Sequence, residues 1–173
     1  VEADEWALMS SQNASKWVQD ADLRRKELED DGVCAEVIFP QGGMPFGADA
    51  VFARWQDLFG LDAREFPLDM TYAGARAYHR WLSEFVGQTP GRMVGVATIP
   101  TMADVDRAVE ELRWAAEHGL KGVIIRPAEV GVAPLYDERY EPFWAACVEL
   151  DMPVHWHVGS GVLTTYGHGP YAP

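Results

Sequence analysis

The sequence predicts an α/β fold with a parallel sheet, and three observations support that prediction. Four short apolar segments, rich in Val or Ile and bounded by Gly or Pro, are typical of buried strands. Amphipathic helical patterns alternate with them. The last three predicted strands begin about 30 residues apart, as do the units of a (β/α)8 barrel of roughly 250 residues. Because 173 residues are too few for a complete barrel, we expect a partial TIM (β/α)8 barrel.

Three of the four predicted strands show little polar alternation, as expected when both faces of a parallel sheet are covered. The predicted strands are Cys34–Pro40, Met93–Pro100, Gly122–Pro127 and Pro153–Val158.

A predicted helix precedes each strand. The predicted helices are Asp20–Asp31, Asp69–Val86, Asp104–His118 and Glu141–Leu150. Thr101 and Asp104 are candidate N-caps of the third helix, and Gly119 suits the position just after its end. In the second helix, Tyr78 and Trp81 recur at helical spacing, which favours core packing over a ligand-stacking role.

The connection after the first predicted strand is long, since about 59 residues separate the first two strand starts. The excess falls in an insertion at about 41–67, on the face where barrels place their sites. It is either a lid or pocket wall or a tolerated decoration, and the sequence leaves both open. We therefore expect residues 1–173 to form a single incomplete barrel domain with this inserted βα loop.

Composition excludes several classes of protein. Lys plus Arg is 14 and Asp plus Glu is 27, so the net charge of −13 repels nucleic acid and anionic lipid. We see no transmembrane run and no signal peptide, and we expect a cytoplasmic protein. Cys34 and Cys147 are expected to be reduced core thiols. The absence of an initiator Met indicates processing or an incomplete sequence.

The clearest candidate site lies in the last predicted strand, where His155 and His157 precede Gly-Ser-Gly. Side chains alternate along a strand, so both rings point to one side, which in a barrel is either the interior or the helix layer. Imidazole is a metal ligand and a general base near neutral pH. The alternative is two histidines that are hydrogen-bonded in a core or line a polar pocket, but the position at the carboxyl end of a strand favours function.

Other polar residues are weaker candidates. Arg126 ends the third predicted strand and could bind a substrate carboxylate or pair with a loop acid. Glu36 falls within the first predicted strand, where a carboxylate needs a partner. It is an edge residue, a member of a structural ion pair or an inward-facing pocket group, and the sequence leaves all three open. His168 is expected in a mobile tail, and His79 and His118 on helix surfaces. P-loop, Gly-x-Gly-x-x-Gly, Gly-x-Ser-x-Gly and His-Glu-x-x-His motifs are absent, which disfavours nucleotide-dependent and Ser-hydrolase chemistry.

Several phrases together resemble the amidohydrolase-2 (amidohydrolase-related) family, a group that includes amino-carboxymuconate-semialdehyde decarboxylase and resorcylate decarboxylases. The phrases are AYHRWLSEF, TPGRMVGVATIPTMADVDRAVEELRWAAEHGLKGVIIRP and PLYDERYEPFWAACVELDMPVHWHVGSG, and the opening LRRKELEDDGVCAEVIFP matches the Asp-Gly-Val/Ile start of a strand. The resemblance covers roughly residues 20–161 and is poor over 41–67.

The resemblance implies a metal-dependent (β/α)8 barrel of the hydrolase type, in which the predicted strands are about the second to fifth. The phrase Pro-Val-x-x-His implies that His157 is a metal ligand, whereas His155 fills a variable position beside the metal or in the substrate pocket. The family's first-strand His-x-His pair would lie before Val1, and its later His and Asp beyond Pro173. An alternative alignment of His155-Trp156-His157 with the first-strand pair is disfavoured, because three αβ units precede it and match the family in order.

The resemblance implies a hydrolase or a non-oxidative decarboxylase that acts on a small carboxylated or cyclic substrate. It implies a catalytic role for His157 with a divalent metal, expected to be zinc, on this residue. We expect His155 to have a catalytic or substrate-binding role, and Arg126, from its position at a strand end, to bind substrate. One ligand cannot hold a catalytic zinc, so we expect this segment alone to be inactive. A homodimer is one arrangement open to the full-length protein.

Two different readings of the function stay open. One is a non-catalytic, degenerate αβ scaffold or binding module. The other is a doubly wound sheet that binds a small molecule at its strand ends, although the chain lacks the Gly-rich first turn typical of that fold.

Overall fold

A computed structural model of the chain describes residues 20–40, 44–48, 66–126 and 132–156. Within them, helices and strands alternate in the predicted order, so the α/β prediction is confirmed. The elements are α1 (Ala21–Asp30), β1 (Glu36–Ile38), α2 (Leu68–Gly87), β2 (Met93–Gly95), β3 (Ala97–Thr98), α3 (Val105–Glu117), β4 (Val123–Ile125), α4 (Glu141–Glu149) and β5 (Val154–Trp156), with single 3₁₀ turns at Pro45–Gly47 and Glu138–Tyr140.

The strand pairs within the described residues are all parallel, as predicted. β1 pairs with β2, while β3 pairs with β4 and β4 with β5. The predicted strand Met93–Pro100 supplies both β2 and β3. Its Val96 N–H donates to the Ile38 carbonyl at 3.0 Å, and the next N–H, of Ala97, donates to the Gly122 carbonyl at 2.8 Å. Because adjacent residues bond to opposite neighbours, the four predicted strands lie side by side in sequence order.

Local signals in the sequence set the helix ends. The Asp20 and Asp104 carboxylates accept the backbone N–H groups of the third residue after them, at 2.9 and 3.1 Å, so Asp104 rather than Thr101 caps α3. Gly119 follows α3 with φ +87°, a conformation that costs glycine little. Each cap satisfies backbone groups that a helix cannot pair within itself.

The helices cover one face of the strands and form the main core there. Buried residues of this face alternate along the central strand, where Met93, Ala97 and Ile99 contact the helix layer. The intervening Val96 forms a second buried cluster with Ile124 on the opposite face. Both faces of the central strands are therefore buried, which explains their nearly continuous apolar sequence.

Two expectations about the core, for Cys34 and Trp81, need correction. Cys34 is exposed because β1 begins only at Glu36, whereas Cys147 is buried as expected; both thiols are free. Burial raises the pKa of Cys147 to about 11. Trp81 is exposed and stacks on Phe85 with ring centroids 5.3 Å apart, so it covers the core instead of filling it.

Among the described helices, none combines the length and the apolar character needed to cross a bilayer.

Candidate functional site

The carboxyl ends of the parallel strands meet at one edge of the sheet, the edge at which barrels place their sites. On the central strand, Ala97 and Ile99 face the helices, so Thr98 between them faces the other side together with Val96. We call this side the inner face. The register pairs Ile124 with His155, which puts His155 on the inner face as well.

His155 is half-buried and tightly enclosed on the inner face. Its ring meets the ring of Phe39 edge-on, with centroids 5.0 Å apart. Phe39 follows β1 and His155 belongs to β5, at opposite edges of four adjacent strands that are each about 4.8 Å apart. The contact therefore requires a strongly curved sheet. A Cβ atom at Gly122 would lie 3.0 Å from His155 Nε2, so glycine leaves the room that the ring occupies.

The structure describes only some of the other predicted site residues. Arg126 is half-buried and directly follows β4, two residues beyond Ile124, the register partner of His155. His157 and His168 lie outside the described residues, as does most of the insertion at about 41–67. Within the described part of the chain, no three His, Cys, Asp or Glu side chains are grouped to hold a metal ion. The predicted roles of His155, His157 and Arg126 thus stay predictions.

Glu36 belongs to the structural framework. Its carboxylate receives a bidentate pair of hydrogen bonds from Arg24, 2.5 Å from Nε to Oε1 and 2.6 Å from Nη2 to Oε2. The ion pair joins α1 to β1 and identifies the structural alternative as the correct one of the three that the sequence left open.

His79 was expected on a helix surface, and that expectation is wrong, because its side chain is fully buried. His79 lies four residues after Ala75 and three before Leu82, both of which are also fully buried. The three residues share one stripe of α2 that faces the sheet. This spacing is the signal in the sequence that could have identified the histidine as a core residue.

The buried ring of His79 connects two helices to the central strand. The Thr98 N–H donates to His79 Nε2 at 2.9 Å, and His79 Nδ1 lies 2.6 Å from Glu111 Oε1. Since a backbone N–H can only donate, Nε2 accepts, and the proton on Nδ1 is donated to Glu111. Arg76 completes the network with hydrogen bonds of 2.9 Å from Nε to Oε1 and 2.7 Å from Nη2 to Oε2.

The Glu111 carboxylate is nearly fully buried. Burial by itself raises the pKa of this carboxyl, but hydrogen bonds from His79 and Arg76 outweigh that effect, so the pKa lies below its ordinary value. The Arg76 guanidinium also lies over the Trp114 ring, 4.6 Å from its centroid. A charge that would be costly to bury alone is thus paired and stabilised.

The end of β1 explains why a helix residue receives the Thr98 N–H. The Val96 N–H is the last on this edge that donates to β1, at Ile38. Two residues later Pro40 has no N–H to donate to the central strand, so the hydrogen-bond ladder between the two strands ends there. His79 Nε2 accepts the next donor of the central strand in place of a strand carbonyl.

Comparison with known proteins identifies what the chain resembles. A sequence model described as amidohydrolase matches residues 42–172. The chain is 36% identical over 92 residues to a gamma-resorcylate decarboxylase of Rhodococcus jostii, an alignment that covers 48% of this chain and 28% of the relative. The chain thus spans under a third of that relative.

Solved structures give the same picture of the fold. A dihydroxybenzoic acid decarboxylase from Polaromonas, with bound manganese and the inhibitor 2-nitroresorcinol, is similar with a TM-score of 0.63 and 22% identity, over 99% of this chain and 49% of that one. A 5-carboxyvanillate decarboxylase from Novosphingobium aromaticivorans, also with manganese, is similar with a TM-score of 0.57 and 21% identity. The match covers 78% of this chain and 33% of that one. These likenesses confirm the partial barrel fold.

Proposed function

The chain belongs to the amidohydrolase family, and from that premise we propose that it forms part of a metal-dependent decarboxylase acting on a small hydroxylated benzoic acid. The observation that supports this most strongly is the 36% identity to a gamma-resorcylate decarboxylase. Solved relatives hold 2,6-dihydroxybenzoate, or the inhibitor 2-nitroresorcinol, in which a nitro group stands where the benzoate has its carboxylate. Because the chain spans less than half of these proteins, the activity is proposed for the complete protein.

The inner face suits an aromatic carboxylate. Phe39 offers exposed apolar surface on the face where Val96 and Ile124 are buried, and His155 and Arg126 supply polar groups there. Few polar groups on an apolar wall are typical of small-molecule sites. We assign Arg126 to the substrate carboxylate, because a guanidinium can bind both carboxylate oxygens. We assign His155 to the pocket wall, where the Phe39 contact fixes its ring.

His157 is our proposed metal ligand. It follows His155 by two residues, so in an extended strand it shares the same side, and it ends the family phrase Pro-Val-x-x-His. When bound, a divalent ion would polarise an oxygen atom of the substrate. Imidazole suits several divalent metals. Our initial expectation was zinc, but two of the compared decarboxylases contain manganese, so manganese is an equal candidate.

The reaction would break the bond between the ring and the carboxylate carbon, releasing carbon dioxide while a proton takes its place on the ring carbon. From 2,6-dihydroxybenzoate the products are carbon dioxide and resorcinol. This substrate, supplied to the protein expressed from its complete reading frame with manganese or zinc, tests the proposal. We expect equal amounts of the two products and none after metal removal.

Variants of the two histidines test the residue assignment. We expect His157→Ala to lose bound metal and activity together, while His118→Ala, which alters an exposed helix residue, retains both. Unchanged metal content in His157→Ala would refute the ligand assignment. Hydrolysis of amide or lactone substrates without release of carbon dioxide would favour the hydrolase alternative. A complete protein that binds no metal and converts no substrate would favour the non-catalytic αβ module.

A further inference from the structure

The chain that follows β3 is attached to α2 at two points. The Thr98 N–H donates to His79 Nε2 at 2.9 Å, and the Tyr72 hydroxyl donates to the Thr101 carbonyl at 2.9 Å. Tyr72 and His79 are both buried and lie seven residues, about two turns, apart on α2. The segment Thr98–Thr101 is therefore held by a helix at the edge of the sheet where β1 has already ended.

His79 can hold this strand end because its own ring is fixed. Glu111 receives the Nδ1 proton, and Arg76 holds both oxygens of Glu111. The network joins α2 and α3 and is almost fully shielded from water at His79 and Glu111. The hydrogen bond from the Thr98 N–H to Nε2 joins the ring to the strand, so we expect the ring to act on the inner face through the Thr98 backbone.

The strand end that His79 fixes presents a polar group to the inner face. Thr98 is fully buried, and its hydroxyl has no hydrogen-bond partner among the residues that the structure describes. Two other buried polar atoms in the described chain also lack partners, Thr89 Oγ1 and Arg92 Nε. Both lie between α2 and β2, at the opposite end of the strands. Of these three atoms, the Thr98 hydroxyl is the one that lies at the carboxyl end of the strands.

We propose that His79 is a positioning residue, which through Nε2 holds the carboxyl end of β3 and the segment Thr98–Thr101 in place as one wall of the substrate pocket. The inference rests on the proposed function, because that function makes the inner face a pocket. His79 does not contact the substrate, since its ring lies on the helix side of the sheet. Its contribution is to fix a wall against which the substrate is oriented.

Two substitutions separate the two hydrogen bonds of the ring. In His79→Gln, the side-chain amide oxygen can occupy the place of Nε2 and accept the Thr98 N–H. In His79→Asn, the amide N–H can occupy the place of Nδ1 and donate to Glu111, while the acceptor for Thr98 is lost. Both variants remove a buried ring, so both are expected to lower the melting temperature. Arg80→Gln provides a control at the next residue of α2, which is exposed.

The measurements are kcat/KM for 2,6-dihydroxybenzoate with manganese and amide hydrogen exchange, both on the protein from its complete reading frame. For His79→Asn we expect faster exchange across the segment Thr98–Thr101 and a roughly 10- to 100-fold loss in kcat/KM, the effect of a misplaced pocket wall. His79→Gln should keep slow exchange in this segment and most of the activity, although its melting temperature also falls.

Activity losses that follow the melting temperature equally in both variants would overturn the proposal, because a merely structural histidine predicts that result. Unchanged exchange at Thr98 in His79→Asn would also overturn it, whether or not the protein is active. By contrast, a wild-type protein with slow exchange at Thr98 but no release of carbon dioxide would contradict the proposed function, and with it the catalytic consequence of the positioning.

Discussion

Replacing Glu111 by Gln should destabilise the protein strongly, although the two side chains have nearly the same volume. The carboxylate accepts from two nitrogen atoms of Arg76 and from His79 Nδ1. A Gln side chain offers one acceptor oxygen and turns its NH₂ group toward one of these donors. The His79 ring cannot reverse its proton to help, because Nε2 already accepts the Thr98 N–H. At least one buried donor is left unpaired.

The cost follows from the contacts that are lost. A hydrogen bond to a charged group contributes about 1.5–3 kcal/mol, and a buried donor without a partner costs about 1–3 kcal/mol. The Arg76 side chain is 26% exposed, so water can replace part of its contact, whereas His79 is fully buried. We therefore expect Glu111→Gln to lower the free energy of unfolding by about 2–4 kcal/mol.

Urea unfolding of the protein from its complete reading frame measures this change, with Glu110→Gln as the matched control. Glu110 is the preceding residue of α3 and is exposed, so its substitution should alter the free energy of unfolding by less than about 0.5 kcal/mol. Equal, small effects of the two substitutions would refute the account of the buried network.

The effect of Glu111 should also depend on pH. The pKa of this carboxyl is lowered from an ordinary value of 4.5. A carboxyl with a lowered pKa in the folded state stabilises that state above its ordinary pKa, and the stabilisation is lost as the pH falls through the folded pKa. The difference between wild type and Glu111→Gln should therefore be constant near neutral pH and shrink below about pH 4.5. A difference that grows with acidification would contradict this reasoning.

Two further predictions concern Cys and Gly positions. Iodoacetamide at pH near 8 should label exposed Cys34 in the native protein and leave Cys147 unlabelled, because Cys147 is buried and its pKa is about 11. Mass spectrometry of the peptides measures the labelling of each thiol, and equal labelling would contradict the prediction. Gly122→Ala should displace the His155 ring, since the new Cβ would lie 3.0 Å from Nε2. We expect a higher KM for the proposed substrate and a loss of stability of about 1 kcal/mol. An unchanged KM would show that the position of the ring does not matter for substrate binding.

The sequence contains most of the fold because the physical signals for it are local. Gly and Pro bound the strands, apolar spacing marks the helices, and N-capping residues such as Asp104 mark where they begin. The order of the strands follows from the short parallel crossovers. The extent of β1 was overestimated, since only Glu36–Ile38 pairs with the next strand.

The contacts that organise the site are less local, and the sequence does not reveal them directly. His79 was misassigned because histidine is usually exposed on helices, and its buried partner Glu111 lies 32 residues away. The role of Glu36 is likewise set by a partner on another element, Arg24 of α1, which donates to its carboxylate. Pairings of this kind are decided when helices pack on the sheet. For His155, alternation predicted a shared side with His157 but left open whether that side is the interior or the helix layer; the register with Ile124 places His155 on the inner face.

The central claim is that this chain is part of a metal-dependent decarboxylase, and one measurement tests it most directly. The protein from its complete reading frame is incubated with 2,6-dihydroxybenzoate labelled with ¹³C at the carboxylate, with and without manganese or zinc. We predict labelled carbon dioxide and an equal amount of resorcinol, only when the metal is present, and neither product from His157→Ala. Metal-loaded wild-type protein that releases no labelled carbon dioxide from this or related hydroxybenzoates would contradict the claim.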